Sequence, residues 1–418
     1  MDSNLQDIEQ LVAAIDIGSN KISLSVGSVA SGQFVSLSGL IHYNTSGVNA
    51  GRIVNVEEVS RIMRDLISDA RSILGFEVEE VFVGLKDRDF QIHSNNAMVA
   101  VDEPGNIITQ RTLERLSCAA RALPLNPNES IVHVIPGRFL VDGTPVAKPV
   151  GMKGVRMDIE ARILTVPTSI IDDIQRACNL AGVSISGIIF SPYATHLSVA
   201  LQRHLILGCA IIDIGAGSTD ITVYRNGMLE YCDVIPIGGN YITNHIASQL
   251  RCIQSEAEMI KQHFGYAAPF LLENGHETIE QLSGLGMGNI SWYDVSGIIE
   301  TAVRDILVRL LEPLHEAGCE LDHPMTVFLT GGTSNLRGLK EYLENILEMK
   351  VEAGIPTIPQ GMFDMARAPQ FASSVGTLMH CAQGSDFQAR TIIDSENKVK
   401  EKANVFNKVA SWFESFFD

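Results

Sequence analysis

Apolar and polar positions alternate along the chain in a pattern that predicts an α/β protein with two similar halves. Residues 13–27 read AAIDIGSNKISLSVG, in which a short apolar strand ends at Asp16, a loop of small residues follows, and an alternating strand begins. Residues 211–227, IIDIGAGSTDITVYRNG, repeat this order around Asp213 and end in Asn-Gly, the dipeptide that two-residue hairpin turns prefer. The chain is therefore expected to contain two copies of one strand–loop–hairpin unit.

Helical periodicity between the strands predicts the remaining elements. The predicted helices cover residues 57–74, 110–122, 168–181, 240–250, 255–264 and 293–317, and one further helix follows the strand that begins at residue 182. Pro313 is expected to disturb the longest of them. Between residues 86 and 164 a single helix lies among short strands, which indicates a small α+β insertion. Residues from about 384 to 403 are polar and charged and predict a linker.

Composition narrows the class of protein. A chain of 418 residues exceeds one ordinary core and predicts two to four subdomains. The net charge of -18 argues against nucleic acid as a partner, because phosphate backbones need a basic face. Seven cysteines without a CxxC pair indicate reduced thiols rather than a disulfide frame or a zinc site. The first residues are acidic and polar, so no signal peptide is expected. The chain contains no long apolar run, so no membrane span is expected.

The two aspartate loops have the chemistry of a phosphate site. Small residues after a strand let backbone N–H groups converge on an anion, and Ser and Thr hydroxyls add donors. An aspartate at the strand end can hold a hydrated Mg²⁺ ion. One such loop is equally well explained as a tight turn, but two matched copies favour a pair that clamps a triphosphate from both sides.

Two further segments suit the remainder of a nucleotide. FLTGGTSNLRGL, residues 328–339, places a Gly-Gly turn after a strand, where a flat base can approach closely; a plain strand-to-helix turn explains it equally well. Glu258 and Lys261 lie three apart on one helical face and would reach a ribose and base, although a solvated surface pair is the simpler interpretation.

These elements in this order resemble the actin-like ATPase superfamily, and more specific motifs narrow the resemblance to the FtsA family of bacterial cell-division proteins. The resemblance covers nearly the whole chain. Its motifs are VHVIP (132–136), KPVGMKGVRM (148–157), IIDIGAGSTDITVY, VIPIGGN (234–240), the Glu-x-x-Lys helix and LTGGTSNLRGL.

The resemblance implies an α/β, actin-like duplicated (RNase H-like) two-lobe fold with an inserted α+β subdomain and a C-terminal amphipathic helix. The implied segments are a first actin-like subdomain (9–85 and 165–205), the insertion (86–164), a second actin-like subdomain (206–241 and 301–384), a small subdomain (242–300), a flexible linker (385–403) and the helix (404–418).

The resemblance also implies a site for ATP and Mg²⁺ in the central cleft. The phosphate-binding residues carried over are Asp16, Gly18, Ser19, Asn20, Lys21, Asp213, Gly215, Ala216, Gly217, Ser218 and Thr219. Those implied for adenosine are Gly238, Gly239, Glu258, Lys261, Gly331 and Gly332, and Asp16 and Asp213 would hold Mg²⁺ through water. Ala216 departs from the family, which often has glycine there, but the rest of the loop still donates. No residue that would position an attacking water is found, so at most weak ATPase activity is expected.

As partners, the resemblance implies head-to-tail copies of the chain, the C-terminal tail of FtsZ, inner-membrane lipids, and later division proteins that bind the insertion. The expected place is the cytoplasmic face of the bacterial inner membrane, at the Z-ring of the division site. The small subdomain 242–300, which would receive the FtsZ tail, carries two basic residues against seven acidic ones. Arg304 and Lys340 just beyond it are nominated to supply positive charge, although a solvated charged helix face is the simpler interpretation of each.

The end of the chain predicts a membrane anchor. Residues 403–418 place large apolar side chains at steps of three and four along one helical stripe. These are Val405, Phe406, Val409, Trp412, Phe413, Phe416 and Phe417. About 15 residues cannot span a bilayer, so a helix lying in the membrane interface fits best, with docking onto a protein groove as the alternative. Residues 396–418 hold four lysines and four acidic residues, so attachment would rest on aromatic burial.

Three other classes share parts of this pattern. A pilus-assembly actin-like ATPase carries a similar insertion but lacks the terminal aromatic helix. A sugar or acetate kinase needs a catalytic acid or arginine in the cleft, which the sequence does not indicate. A chaperone-type ATPase would need a peptide-binding domain after the core.

Overall fold

The computed structural model describes residues 10–30, 33–273, 275–280, 282, 289–318, 325–358 and 364–382. Two five-stranded sheets of the same design form its centre. The first, in spatial order, is β3 (Gln33–Asn44), β2 (Lys21–Ala30), β1 (Gln10–Ile17), β6 (Glu80–Leu85) and β11 (Ser184–Phe190). The second is β14 (Met228–Ile235), β13 (Thr219–Arg225), β12 (Cys209–Ile214), β15 (Thr326–Thr330) and β16 (Val351–Ala353).

The two sheets match strand for strand. In each, three consecutive strands form an antiparallel meander, and two later strands add in parallel beside its first strand. The carboxyl ends of β1 and β6, and those of β12 and β15, therefore lie at one edge of each sheet. We call the first sheet with its helices the first lobe, and the second sheet with its helices the second lobe.

A third sheet lies in the predicted insertion. Its order is β7 (Gln91–Ala100), β10 (Arg156–Pro167), β8 (Glu129–Val141) and β9 (Thr144–Val146). Helix α2 (Gln110–Arg121) buries Leu113 and Leu116 against this sheet in a small core of its own. A separate two-stranded ribbon is formed by β4 (Val48–Asn49) and β5 (Arg52–Ile53).

The other helices pack on the two large sheets. They are α1 (Val56–Ser72), α3 (Thr168–Ala181), α4 (Ser191–Ala194), α5 (His196–Val199), α6 (Gln202–Leu207), α7 (Gly239–Leu250), α8 (Gln254–Phe264), α9 (Trp292–Glu316), α10 (Leu339–Leu347) and α11 (Ala372–Ala382). Within the described residues, no helix is both long and apolar enough to cross a membrane.

Helix α1 shows how local sequence places an element. The Asn55 side chain accepts the backbone N–H of Glu58 and satisfies a donor that the helix start would leave unpaired. Val59, Met63 and Leu66 then recur at steps of three and four and are fully buried against the first sheet. Burial of each such side chain contributes about 1.5–3 kcal/mol.

The lobes share apolar contacts. Cys209, Ile211 and Tyr224 of the second sheet lie in the same buried cluster as the first sheet, α1 and α3. A second cluster joins the second sheet to α7, α8, α9 and α10. The predicted boundary at residue 300 falls inside α9, whose Val295 and Leu310 lie in this one core.

Three local predictions have definite outcomes. The Asn226–Gly227 turn is confirmed, with φ angles of 53° and 77°. Pro313 lies within α9 without ending it, and its carbonyl still accepts the N–H of Ala317. The single helix predicted after β11 is wrong: the chain forms two one-turn helices, α4 and α5, separated at Thr195.

Candidate functional site

The candidate site is a cleft of about 500 Å³ between the lobes, within the size range of small-molecule sites. The loop after β1 (residues 18–20) and the loop after β12 (residues 215–218) both line it. The duplicated topology explains this arrangement, because each loop leaves its sheet at the carboxyl end of the corresponding strand.

The two loops have the same hydrogen-bond pattern. Gly18 N–H donates to the carbonyl of Lys21 at 3.0 Å, and Gly215 N–H donates to the carbonyl of Ser218 at 2.9 Å. The loops also approach each other closely, since a Cβ on Gly217 would lie 2.5 Å from Ser19 Oγ. Only glycine permits this approach.

Asp16 is held by three hydroxyl groups. Ser191 Oγ donates to Asp16 Oδ1 at 3.0 Å, while Ser373 and Ser374 donate to Oδ2 at 3.0 and 3.1 Å. Ser373 and Ser374 belong to the first turn of α11, where the positive end of the helix dipole favours an anion. The carboxylate of Asp16 is thus fixed in orientation at the cleft.

Asp213, the corresponding residue of the second lobe, is almost fully buried. Burial raises its pKa to about 6, although Lys86 opposes the rise while Asp220 and Asp16 add to it. A Cβ on Gly331 would lie 2.2 Å from Asp213 Oδ1, and Gly331 has a φ of 88°. This position therefore requires glycine for both its conformation and its contact.

Two lysines reach the cleft from the first lobe. Lys21 Nζ donates to the carbonyl of Gln370 at 2.7 Å and lies 3.5 Å from the centroid of the Phe371 ring. Burial lowers the pKa of Lys21 to about 8, an effect that Asp16 and Asp213 partly offset. Lys86 Nζ forms an ion pair of 2.6 Å with Asp220 Oδ2 of the second lobe.

The cleft lining also contains Glu258 and Lys261, which form an ion pair of 2.7 Å. Lys261 Nζ also donates to Thr243 Oγ1 at 2.9 Å and to the carbonyl of Gly239 at 3.2 Å. Glu258 accepts from Thr243, and its pKa is lowered because Lys261 and these hydrogen bonds outweigh burial. This pair is a part of the cleft wall rather than an isolated surface pair.

Most residues nominated from the sequence line this cleft. They are Asp16, Gly18, Ser19, Asn20, Lys21, Asp213, Gly215, Ala216, Gly217, Ser218, Glu258, Lys261, Gly331 and Gly332.

Three nominated residues lie behind the second loop instead of lining the cleft. Gly239 N–H donates to the carbonyl of Gly215 at 2.9 Å, and a Cβ on Gly238 would lie 2.6 Å from the same oxygen. Thr219 is fully buried and its hydroxyl donates to the carbonyl of Ile237 at 2.8 Å. Gly238 and Gly239 therefore support the second loop, and their contact with adenosine stays a prediction.

Several cleft residues were missed by sequence reasoning. They are His42, Asn44, Lys86, Asn240, Gln262, Gly265, Thr333, Asn335, Leu336, Arg337, Gln370 and Ser373. Asp220, the partner of Lys86, was missed as well. A charged residue directly after an apolar strand, here β6, was the signal available for Lys86. Arg337 gave no such signal, because its guanidinium is positioned by the distant carbonyls of Gly265 and His263.

The nominated partner-binding residues lie elsewhere. Arg304 is exposed on α9 and pairs with Glu300 at 3.3 Å, and Lys340 on α10 pairs with Glu344 at 3.6 Å. The predicted linker and the aromatic stripe, Val405, Phe406, Val409, Trp412, Phe413, Phe416 and Phe417, lie outside the described residues. The six cysteines in the described ranges are free, and no group of three metal-ligating side chains forms in this part of the chain.

Comparison with known proteins identifies the family. A model described as cell division protein FtsA matches residues 210–376, and a model described as the SHS2 domain inserted in FtsA matches residues 89–165. The cell division protein FtsA of Neisseria meningitidis serogroup B is 29% identical over 383 residues, covering 90% of this chain and 91% of that protein.

Solved structures support the fold alone. The PilM–PilN type IV pilus biogenesis complex aligns with a TM-score of 0.60 at 18% identity, covering 89% of this chain and 98% of that chain. MreB5 of Spiroplasma citri, solved bound to ADP, aligns with a TM-score of 0.50 at 14% identity, covering 88% and 95%. The duplicated sheets, the inserted SHS2 domain and the two family matches together show that the chain belongs to the FtsA family of cell-division proteins, with an actin-like fold.

Proposed function

We propose that the chain binds ATP with Mg²⁺ in the cleft between its lobes. The observation that carries this proposal is the matched pair of aspartate loops, 18–20 and 215–218, on opposite walls of one cleft. Their N–H groups and the serine hydroxyls are the donors that phosphate oxygens need. MreB5, which shares the fold, was solved with ADP.

The side chains around these loops fit a magnesium nucleotide. Asp16 and Asp213 present carboxylates from opposite lobes, while Lys21 and Lys86 supply positive charge between them. Mg²⁺ usually keeps several waters and takes only one or two carboxylates, so two aspartates suit it without a closed protein cage. Glu258, Lys261 and the Gly331–Gly332 turn, which also line the cleft, would hold the adenosine.

Family membership supports the remaining part of the proposal. The chain polymerises head to tail on the cytoplasmic face of the inner membrane, tethers FtsZ filaments through their C-terminal tails, and brings later division proteins to the site through residues 86–164. The residues 404–418 are the membrane contact. A single apolar segment of this length would bind a membrane weakly, so a polymer that presents many of them would attach firmly.

Nucleotide titration of the full chain tests the cleft. Gly217→Val would force a branched side chain into the space between the loops, where even a Cβ lies 2.5 Å from Ser19 Oγ. We expect this variant to lose at least tenfold in affinity for Mg-ATP. Gly297→Ala, at a helical glycine with no atom within 4 Å of the added Cβ, serves as the control and should bind as the wild type does. Equal affinity of Gly217→Val and the wild type would contradict the proposed site.

Charge reversal tests the FtsZ contact. Arg304→Glu and Lys340→Glu should weaken binding of a peptide from the FtsZ tail, measured by fluorescence anisotropy. Arg61→Glu is the matched control, because Arg61 also forms an exposed i,i+4 ion pair, with Asp65 on α1 of the first lobe. If all three variants bind the peptide equally, the nominated residues do not form the contact.

A further inference from the structure

Lys86 links the two lobes through the cleft. It follows β6 of the first lobe, and its ammonium meets Asp220 of β13 in the second lobe at 2.6 Å. The Lys86 side chain is 10% exposed and that of Asp220 is 3% exposed. Breaking a buried pair of this kind by removing one partner is costly, whereas removing both partners is often nearly neutral.

The internal repeat shows that Lys86 occupies a special position. Asp16 pairs with Gly84 across β1 and β6, and Asp213 pairs with Thr330 across β12 and β15. Two residues beyond each partner come Lys86 in the first lobe and Gly332 in the second. The second lobe thus has a glycine, which leaves space for a ligand, where the first lobe has a charged side chain.

The side chain of Lys86 runs from Gly51, which contacts the first loop, toward the second loop. A Cβ on Gly51 would lie 2.7 Å from Lys86 Cγ, and Gly51 N–H donates to Ser19 Oγ at 3.2 Å. At its other end, Lys86 Nζ lies 3.9 Å from the position a Cβ on Gly215 would take. The ammonium is therefore placed between the two loops, beside any phosphate that they hold.

The carboxylates around Lys86 keep its ammonium ionised. Burial acts to lower the pKa of Lys86, but Asp220, Asp213 and Asp16 outweigh burial and raise that pKa above its ordinary value. A phosphate oxygen in the cleft would compete with Asp220 for the ammonium protons. Such charge-assisted hydrogen bonds are roughly twice as strong as neutral ones.

We propose that Lys86 is the specificity-determining residue by which the cleft distinguishes a nucleoside triphosphate from a diphosphate. The Lys86 ammonium lies beside Gly215 of the second loop and near the carboxylates of Asp16 and Asp213, so it would meet a phosphate enclosed by both loops, and a terminal phosphate is the one that both loops can enclose. Its ammonium exchanges Asp220 for that phosphate, and the direct ion pair between the lobes is released in the same step. This inference rests on the proposed binding of nucleotide.

The test compares affinities of the full chain for ADP and for the non-hydrolysable triphosphate AMPPNP, both with Mg²⁺, by isothermal titration calorimetry. Lys86→Gln should weaken AMPPNP binding roughly tenfold or more relative to ADP binding. Asp220→Asn should strengthen AMPPNP binding relative to ADP binding. In this variant Lys86 no longer has a competing carboxylate, and the phosphate site has one negative charge fewer.

The double variant Lys86→Gln/Asp220→Asn guards against misfolding of the single variants. It removes both charges of the pair, so we expect a wild-type unfolding temperature and the same loss of triphosphate preference as in Lys86→Gln. Lys350→Gln, at an exposed lysine paired with Glu352 in the second lobe, is the control and should keep the wild-type ratio. If the wild type binds both nucleotides and the double variant keeps the wild-type ratio of AMPPNP to ADP affinity, Lys86 does not distinguish the two nucleotides. The cleft then remains a nucleotide site. If the wild type binds neither nucleotide, the nucleotide proposal itself falls and this inference falls with it.

Discussion

Some residues of the cleft carry buried charge or an unfavourable backbone conformation, which lowers the stability of the protein when no ligand is bound. Asp213 and Asp220 are buried carboxylates, and burial is the largest influence raising the pKa of each. Gly331 has a positive φ and leaves space for Asp213 that another residue would fill. Strain and buried charge of this kind concentrate at functional sites.

Gly331→Ala should therefore destabilise the protein by more than its backbone conformation alone explains. A side chain at φ of 88° costs on the order of 1 kcal/mol, and the added Cβ would also lie 2.2 Å from Asp213 Oδ1. We expect a total loss of roughly 2–4 kcal/mol in the free energy of unfolding, measured with urea. Gly75→Ala is the matched control, because Gly75 has a φ of 76° but no atom within 4 Å of the added Cβ. Equal losses in the two variants would contradict the contact.

His196 predicts a pH dependence of stability. It is buried at the junction of the lobes, where its ring contacts Tyr193 and Tyr224, and Tyr224 Oη lies 3.0 Å from Nδ1. Burial lowers the pKa of His196 to about 4, with a further lowering from His380 and an opposing effect of the hydrogen bond to the Tyr193 carbonyl.

Because the pKa of His196 is lower in the folded chain than its ordinary value of 6.5, the unfolded chain binds the proton first as pH falls. The stability is complete above pH 6.5 and is lost progressively between pH 6.5 and 4. Between pH 7.5 and 5, the wild type should lose roughly 2 kcal/mol more than His196→Gln. Urea unfolding at the two pH values measures this difference, and parallel losses in both proteins would refute the assignment.

At the scale of elements, the sequence predicts what local pattern determines. The β1–β2 and β12–β13 units follow from alternation and from the small-residue loops, and the β13–β14 turn follows from its Asn-Gly dipeptide. The one-turn helices α4 and α5 were missed, because they depend on packing: the Ser198 hydroxyl donates to the carbonyl of Ala372, 174 positions away. The Lys86–Asp220 pair, with a separation of 134 positions, was missed for the same reason.

Helix α9 offers a test of element stability. Gly297 lies inside this helix, and an added Cβ would meet nothing within 4 Å. Gly297→Ala should therefore raise the free energy of unfolding by about 0.5–1 kcal/mol, since alanine loses less backbone entropy in a helix. Thermal or urea unfolding of the purified chain measures this gain. A loss of stability would show that neighbouring atoms crowd the Cβ added at Gly297.

At the scale of the whole molecule, duplication explains how two distant loops form one site. Each loop is weak evidence alone, but the matched strand orders of the two sheets place both loops on one cleft. The sequence could indicate the duplication, because both copies of the motif can be recognised in it. It could not indicate which residues support the loops from behind, such as Gly239, because those contacts arise only when the start of α7 meets the loop after β12.

The whole-molecule proposal joins this cleft to the last residues of the chain. In this proposal, nucleotide would order the lobes, ordered subunits would polymerise, and the polymer would present many copies of residues 404–418 to one surface. A variant of the cleft should then weaken membrane attachment even though it changes no residue of the anchor. A variant of the anchor should abolish attachment while leaving nucleotide affinity unchanged.

Sedimentation with anionic liposomes tests this central claim most directly. Four proteins are compared with and without Mg-ATP: the full chain, a chain ending at Lys402, the cleft variant Gly217→Val and the control Gly297→Ala. The account predicts that the full chain and Gly297→Ala sediment with liposomes, and that Mg-ATP increases the sedimented fraction of both. Gly217→Val should sediment weakly, with no effect of ATP. The shortened chain should stay in solution. Equal sedimentation of the shortened and full chains, or an identical ATP effect in Gly217→Val and the wild type, would contradict the account.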